Sequence, residues 1–170
     1  MHILYASVPS NWEVHNIPPQ LATLGKVTTF YLKDSGINPA GPFEKARAQL
    51  DRLFPSFVES LHSKSPIDLV LSYLSGAFLS PPSIEKVKHL GIPTVGFHLD
   101  DRLSFRGQMC GDQWTGPAAV CTSYDLNLTN ATASLVKYHS LGSLAIFWPE
   151  AANPEHFKPL DLPQDLDVTF

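Results

Sequence analysis

Apolar and polar positions along the first third of the chain alternate between short hydrophobic runs and amphipathic stretches. Residues 3–8 are mostly apolar or β-branched and stop at Pro9-Ser10-Asn11, the pattern of a buried strand entering a loop. A first strand of this kind predicts a parallel sheet, whose strands are covered on both faces. Residues 12–24 place Ile17, Leu21 and Leu24 at helical spacing and end at Gly25, a residue that accepts the left-handed conformation closing many helices. Residues 27–32, rich in Val, Thr, Phe and Tyr, supply a second strand.

From Pro42 the pattern is helical, with Phe43, Ala46, Leu50, Leu53, Phe57, Val58 and Leu61 on one stripe. Pro55 falls inside it and removes a backbone donor, which predicts a kink or a break near Phe54. Residues 67–73 read as a third strand, and residues 82–90 as a helix with proline in its first turn, basic residues late and Gly91 as terminator. A fourth strand at 92–97, a helical turn at 114–119, a fifth strand at 126–129, a helix at 132–141 and a sixth strand at 144–148 follow. Strands alternating with helices predict an α/β, Rossmann-like three-layer sandwich around a mainly parallel sheet of about six strands with right-handed crossovers. Proline pairs such as Pro18-Pro19 and Pro81-Pro82 read as punctuation at element ends. After Trp148, prolines at 149, 154, 159 and 163 interrupt the pattern until Asp167-Val168-Thr169-Phe170 resumes it. Residues 1–148 are therefore expected to form one domain. Residues 149–170 are expected to be an interdomain linker and the start of a second domain in a longer protein.

Composition narrows the function classes. Of the 170 residues 44% are hydrophobic and only 16% are charged, against roughly 25% charged in ordinary soluble domains, so part of the surface is expected to be covered. The net charge of -4, with no stripe of Lys and Arg, argues against nucleic acid as a partner. No basic leader precedes the first apolar run and no run approaches the length of a transmembrane segment, which points to the cytoplasm. Two cysteines, Cys110 and Cys121, are too few for a disulfide framework and lack zinc spacing.

Candidate chemistry is sought where strands end, because open parallel sheets bind ligands there. The first such loop, Ser7 to Trp12, has no glycine and so is neither a dinucleotide fingerprint nor a phosphate-cradling loop; no cofactor is expected. Ser7, Asn11 and Trp12 suit hydrogen bonding and stacking on a sugar, or equally a turn, a helix cap and a half-buried indole. Tyr73, Ser75 and Gly76 suit close approach by a ligand or by another backbone, or form a plain turn. His98, Asp100 and Asp101 put an imidazole and two carboxylates within four residues, as acid–base chemistry on a hydroxyl requires. The alternatives are a core histidine, and loop capping with ion pairs from the aspartates to Arg102 or Arg106. A metal site is not expected from this trio, which lacks further ligands. Glu150 either faces a cleft after the sixth strand or decorates the surface.

Three segments carry a resemblance: Met1-His2-Ile3-Leu4-Tyr5, then Ile92 through Asp101, then Tyr124 through Asn130. They resemble the amino-terminal half of two-domain glycosyltransferases. Trp148-Pro149-Glu150-Ala151-Ala152-Asn153-Pro154-Glu155-His156-Phe157-Lys158-Pro159 is similar to the interdomain linker of retaining GT-B enzymes, and more narrowly to the spore-maturation type. The resemblance implies a nucleotide-sugar donor, a hydroxyl acceptor and a C-terminal donor-binding domain, with this half shaping the acceptor side and inactive alone. It implies that His98 faces the transferred sugar and donor phosphate. The glycine-rich first loop of the family is absent here. The competing expectation is a free-standing α/β module that binds a ligand or protein without catalysis.

Overall fold

Ile3, Leu4, Tyr5 and Ala6 are completely excluded from solvent, because their strand lies inside a sheet flanked on both faces. The computed structural model describes residues 1–8, 11–37, 43–159 and 161. Strand β1 (His2–Ser7) leads into α1 (Asn11–Ala22) and β2 (Lys26–Tyr31); α2 (Phe43–Lys64) precedes β3 (Leu69–Ser72), and α3 (Pro81–Lys88) precedes β4 (Thr94–His98). A four-residue helix α4 (Asp101–Ser104) and a hairpin of β5 (Met109–Cys110) and β6 (Gln113–Trp114) come next, followed by β7 (Leu126–Thr129), α5 (Leu135–Ser140) and β8 (Ala145–Phe147). Six strands form one sheet in the order β2-β1-β3-β4-β7-β8, with every adjacent pair parallel. The fold is thus the α/β, Rossmann-like three-layer sandwich that the alternation predicts.

Register shows which residues share a face. Ile3 pairs with Val27 and Leu69, Leu71 with Val95, Val95 with Leu126, and Leu128 with Ile146, so these positions lie on one side. Leu4, Val70, Thr94, Asn127 and Ala145 belong to the other. The step from β1 to β2 crosses the sheet one way and every later step the other way. Right-handed crossovers then put α1 on one face and α2, α3 and α5 on the opposite one. The packing agrees: Leu50, Phe54, Val58, Ile84 and Val87 close over Leu4, Ala6, Phe30 and Val70, while Ile17 and Leu21 close over Ile3, Tyr5 and Leu71. Full burial of each large side chain of this kind contributes about 1.5–3 kcal/mol. Among the described residues α1 is the sole helix on its face. Further along that face Val95 and Leu128 are half-buried and Ile146 is 49% exposed.

Two local expectations differ from the structure. Pro55 does not break α2, which runs from Phe43 to Lys64. Its neighbours Leu50, Phe54 and Val58 are all buried in the same core, and that burial outweighs the lost backbone bond, on the order of 3 kcal/mol for an interior proline. Pro18 and Pro19 lie inside α1 rather than at its end. Pro81 and Pro82 do open α3, where a missing amide costs no hydrogen bond. The strand expected at 167–170 lies outside the described residues. No described helix is long and apolar enough to cross a membrane.

Gly96 in β4 shows how tightly the larger core is closed. A Cβ there would sit 2.7 Å from Tyr124 Cδ2 and 3.0 Å from Asn127 Oδ1. Tyr124 cannot withdraw easily, since its hydroxyl lies 2.9 Å from Ser72 Oγ and 3.1 Å from the Leu74 carbonyl oxygen. We expect Gly96→Ala to lower the unfolding free energy by about 1–3 kcal/mol through overpacking. Urea denaturation should show a lower midpoint with an unchanged slope; an unchanged midpoint would mean that Tyr124 yields.

Candidate functional site

The direction of chain progression reverses between β1 and β3, so their carboxyl ends diverge and leave a crevice, the usual ligand position in an open parallel sheet. The segment after β8 roofs this crevice. Trp148 donates its backbone N–H to the Thr129 carbonyl at 2.8 Å, which holds it at the edge of the sheet. The chain then crosses to α1, where the Asn153 N–H donates to Asn16 Oδ1 at 2.6 Å and Asn153 Nδ2 donates to the His15 carbonyl at 3.0 Å. His156 continues the contact, its ring 5.0 Å from that of His15. The strap, α1 and the sheet edge together enclose a cleft of about 710 Å³.

Aromatic side chains form the floor. Tyr73, one residue past β3, stacks on Phe97 at 4.5 Å with nearly parallel planes, and Trp148 meets Phe97 edge-on at 5.2 Å. Such pairs add roughly 0.5–1.5 kcal/mol beyond area burial and fix the ring positions. Burial, followed by the negative charges of Glu13, Asp100 and Glu150, pushes the Tyr73 phenol up to about 12. It therefore stays neutral and offers a hydroxyl.

The trio picked out by sequence is not brought together. His98 ends β4 and pairs in register with Thr129, which turns it to the α2 side of the sheet, away from the cleft floor. Its ring is 3% exposed, and burial alone drives its pKa down to about 3, so it is neutral at pH 7. Nε2 is buried and has no hydrogen-bond partner among the described residues. Asp100 adopts a left-handed backbone, φ 55°, a conformation aspartate tolerates better than most residues. Its N–H donates to Asn130 Oδ1 at 2.9 Å, and its carbonyl accepts from the Leu103 N–H at 3.1 Å. That reversal sends the next side chain the opposite way: Asp100 is exposed and lines the cleft, whereas Asp101 has no exposure. Asp101 accepts from the Thr129 hydroxyl at 2.8 Å and the Tyr138 hydroxyl at 2.7 Å. Burial and that second bond raise the Tyr138 pKa. Neither aspartate pairs with Arg102 or Arg106 among the described residues; Arg106 instead lies 5.6 Å over the Trp114 ring.

The remaining candidates divide in the same way. Glu150 lines the cleft and accepts from Asn130 Nδ2 at 2.8 Å, so Asn130 bridges Asp100 and Glu150 along the rim. Ser7 is fully buried, and its hydroxyl donates to Glu13 rather than facing the cleft. Ser75 donates to the Thr115 carbonyl at 2.9 Å and Gly76 N–H to the Gly116 carbonyl at 3.3 Å. Two of the readings open for these residues are observed together: a turn, in which the Phe78 N–H donates to the Ser75 carbonyl at 2.9 Å, and close approach by another backbone. Asn11 and Trp12 begin α1, and their side chains lie outside the described residues. The sequence reading missed Glu13, only 1% exposed on α1, which also accepts from the buried Tyr5 hydroxyl. It missed Asn130 and Asn153 as well. A single acid at a helix start and two loop asparagines carry no spacing signal that sets them apart.

Among the described residues no group of three or more His, Cys, Asp or Glu side chains is poised to hold a metal ion. Among the described residues the cleft lining contains no Lys, Arg or His. No family model matches this chain, and no curated protein matches it.

His98 makes a testable contribution to pH-dependent stability. Its folded pKa of about 3 lies below the ordinary value of 6.5, so the unfolded chain binds the proton more readily. The contribution is complete above pH 6.5 and is lost as pH falls through the window toward 3. With His98→Gln, stability should fall less steeply in that window, the difference in slope being on the order of 1 kcal/mol per pH unit. Urea unfolding of both proteins from about pH 7 to about pH 5 measures it; parallel curves would mean that His98 titrates normally.

Proposed function

We propose that this chain is the acceptor-side half of a glycosyltransferase of the GT-B arrangement, moving a sugar from a nucleotide-sugar to a hydroxyl acceptor. The observation that carries the reading is the cleft at the carboxyl ends of the strands, roofed by residues 148–154 of the linker-like segment and rimmed by Asp100 and Glu150. The reading does not depend on metal or cofactor chemistry in this half. A leaving nucleoside diphosphate needs cationic groups or helix ends for its developing charge. Among the described residues the cleft lining supplies no cation, so that task falls to the donor-binding domain of the same protein.

The residues divide the work as follows. The bond from the sugar to the donor phosphate breaks, a bond from the sugar to the acceptor oxygen forms, and the acceptor proton must leave. Asp100 is the exposed carboxylate on the rim and is the group proposed to orient the hydroxyl and help remove its proton. Glu150, tied to Asp100 through Asn130, positions that rim. His98, enclosed on the α2 side of the sheet and neutral at pH 7, is assigned no contact with the sugar or its phosphate. Asp101, enclosed between Thr129 and Tyr138, is proposed to hold the turn that presents Asp100.

The test is turnover of nucleotide-sugars by the intact protein. Asp100→Asn should reduce turnover by on the order of a hundredfold with stability changed by under about 0.5 kcal/mol, as for a solvated position. Asp101→Asn should lower the melting temperature, with activity falling only as folded protein is lost. Wild-type turnover in Asp100→Asn would remove its assigned role. Ligand binding without any transfer would return the chain to the reading of a non-catalytic α/β module.

A further inference from the structure

We propose that the cleft beside α1 takes an uncharged, hydroxyl-bearing molecule with an aromatic or aliphatic body, and rejects phosphorylated or carboxylated ones. The inference rests on the reading above in so far as the cleft receives the acceptor, and it names the chemical class of that acceptor. The volume of about 710 Å³ falls within the roughly 300–1,000 Å³ of small-molecule sites. Ile17, Leu21, Leu24 and Trp148, all partly or largely exposed, supply the apolar wall and floor over the buried Phe97; apolar surface of this kind selects a ligand with a matching body.

Charge decides the rest. Among the described residues Asp100 and Glu150 are the carboxylates of the lining, and no cationic side chain accompanies them. An anion entering the cleft would lose hydration without a counter-charge and meet like charges. Gln20 and the Tyr73 hydroxyl are neutral hydrogen-bonding groups of the sort that hold alcohols. A bare sugar would satisfy them and leave the apolar surface unmatched.

Full-length protein should be titrated with phenyl β-glucoside, phenyl phosphate and glucose, with binding measured calorimetrically. Phenyl β-glucoside is expected to bind at least about tenfold more tightly than either of the others. Leu24→Asp places a charge at the mouth of the cleft on a side chain already 60% exposed, so folding should be preserved while phenyl β-glucoside binding weakens about tenfold or more. Glu150→Lys should raise the affinity for phenyl phosphate. Equal or tighter binding of phenyl phosphate by the wild type overturns the proposal, as does absence of saturable phenyl β-glucoside binding or its persistence unchanged in Leu24→Asp. A dimer that Leu24→Asp dissociates also overturns it, since a second copy would then be the occupant. Binding as expected, with no transfer from any nucleotide-sugar, sustains the ligand class and sinks the transferase reading. Transfer confined to anionic acceptors does the reverse.

Discussion

One-sided coverage of the sheet is the constraint from which the rest follows. Right-handed crossovers leave α1 alone on its face, while α2, α3 and α5 crowd the other. A single helix about 10 Å across spans two or three strands at roughly 4.8 Å spacing. β4, β7 and β8 therefore keep half-covered or exposed apolar side chains at Val95, Leu128 and Ile146 on that side. The cleft is the part of this open face that lies beside α1 and beneath the strap. Its apolar floor is the same material that elsewhere makes core: Phe97, fully buried, packs against Tyr5 within the sheet and against Tyr73 and Trp148 at the cleft.

Much of this was legible in the residue pattern because burial on both faces leaves a plain signature. The runs at 3–8, 67–73 and 92–97 lack polar alternation, and all three became central strands. Gly25, Gly91 and Gly142 mark ends that the structure closes with positive φ. Proline rules served less well. Pro55 is tolerated because tertiary burial of its neighbours exceeds a local penalty, a comparison that no window of sequence contains. The hairpin at Met109–Trp114 went unseen for the related reason that strands of two residues have no period to detect.

The candidate site was legible in position and not in direction. Sequence located the turn after β4, but one left-handed residue decides that Asp100 faces the cleft while Asp101 is buried against Thr129 and Tyr138. Adjacent carboxylates look interchangeable in a string of letters, and only backbone dihedrals separate them. His98 shows the same limit, since strand alternation puts it on the face opposite Phe97. Glu13 went unnoticed because its partners, Tyr5 and Ser7, come from a strand running back to back with its helix.

The strap has a bearing on the order of assembly. Asn153 reaches Asn16 across 137 positions of chain, so the loop that this contact closes is nearly the whole domain. Closing so long a loop is entropically unfavourable unless most of its length is already fixed. The β1, β3, β4, β7 and β8 pairings shorten the effective separation step by step, and the bond from Trp148 to Thr129 leaves only a few residues to span. The enclosure beside α1 is therefore expected to form late, on a sheet already paired, and to open first when the carboxyl-terminal end is loosened.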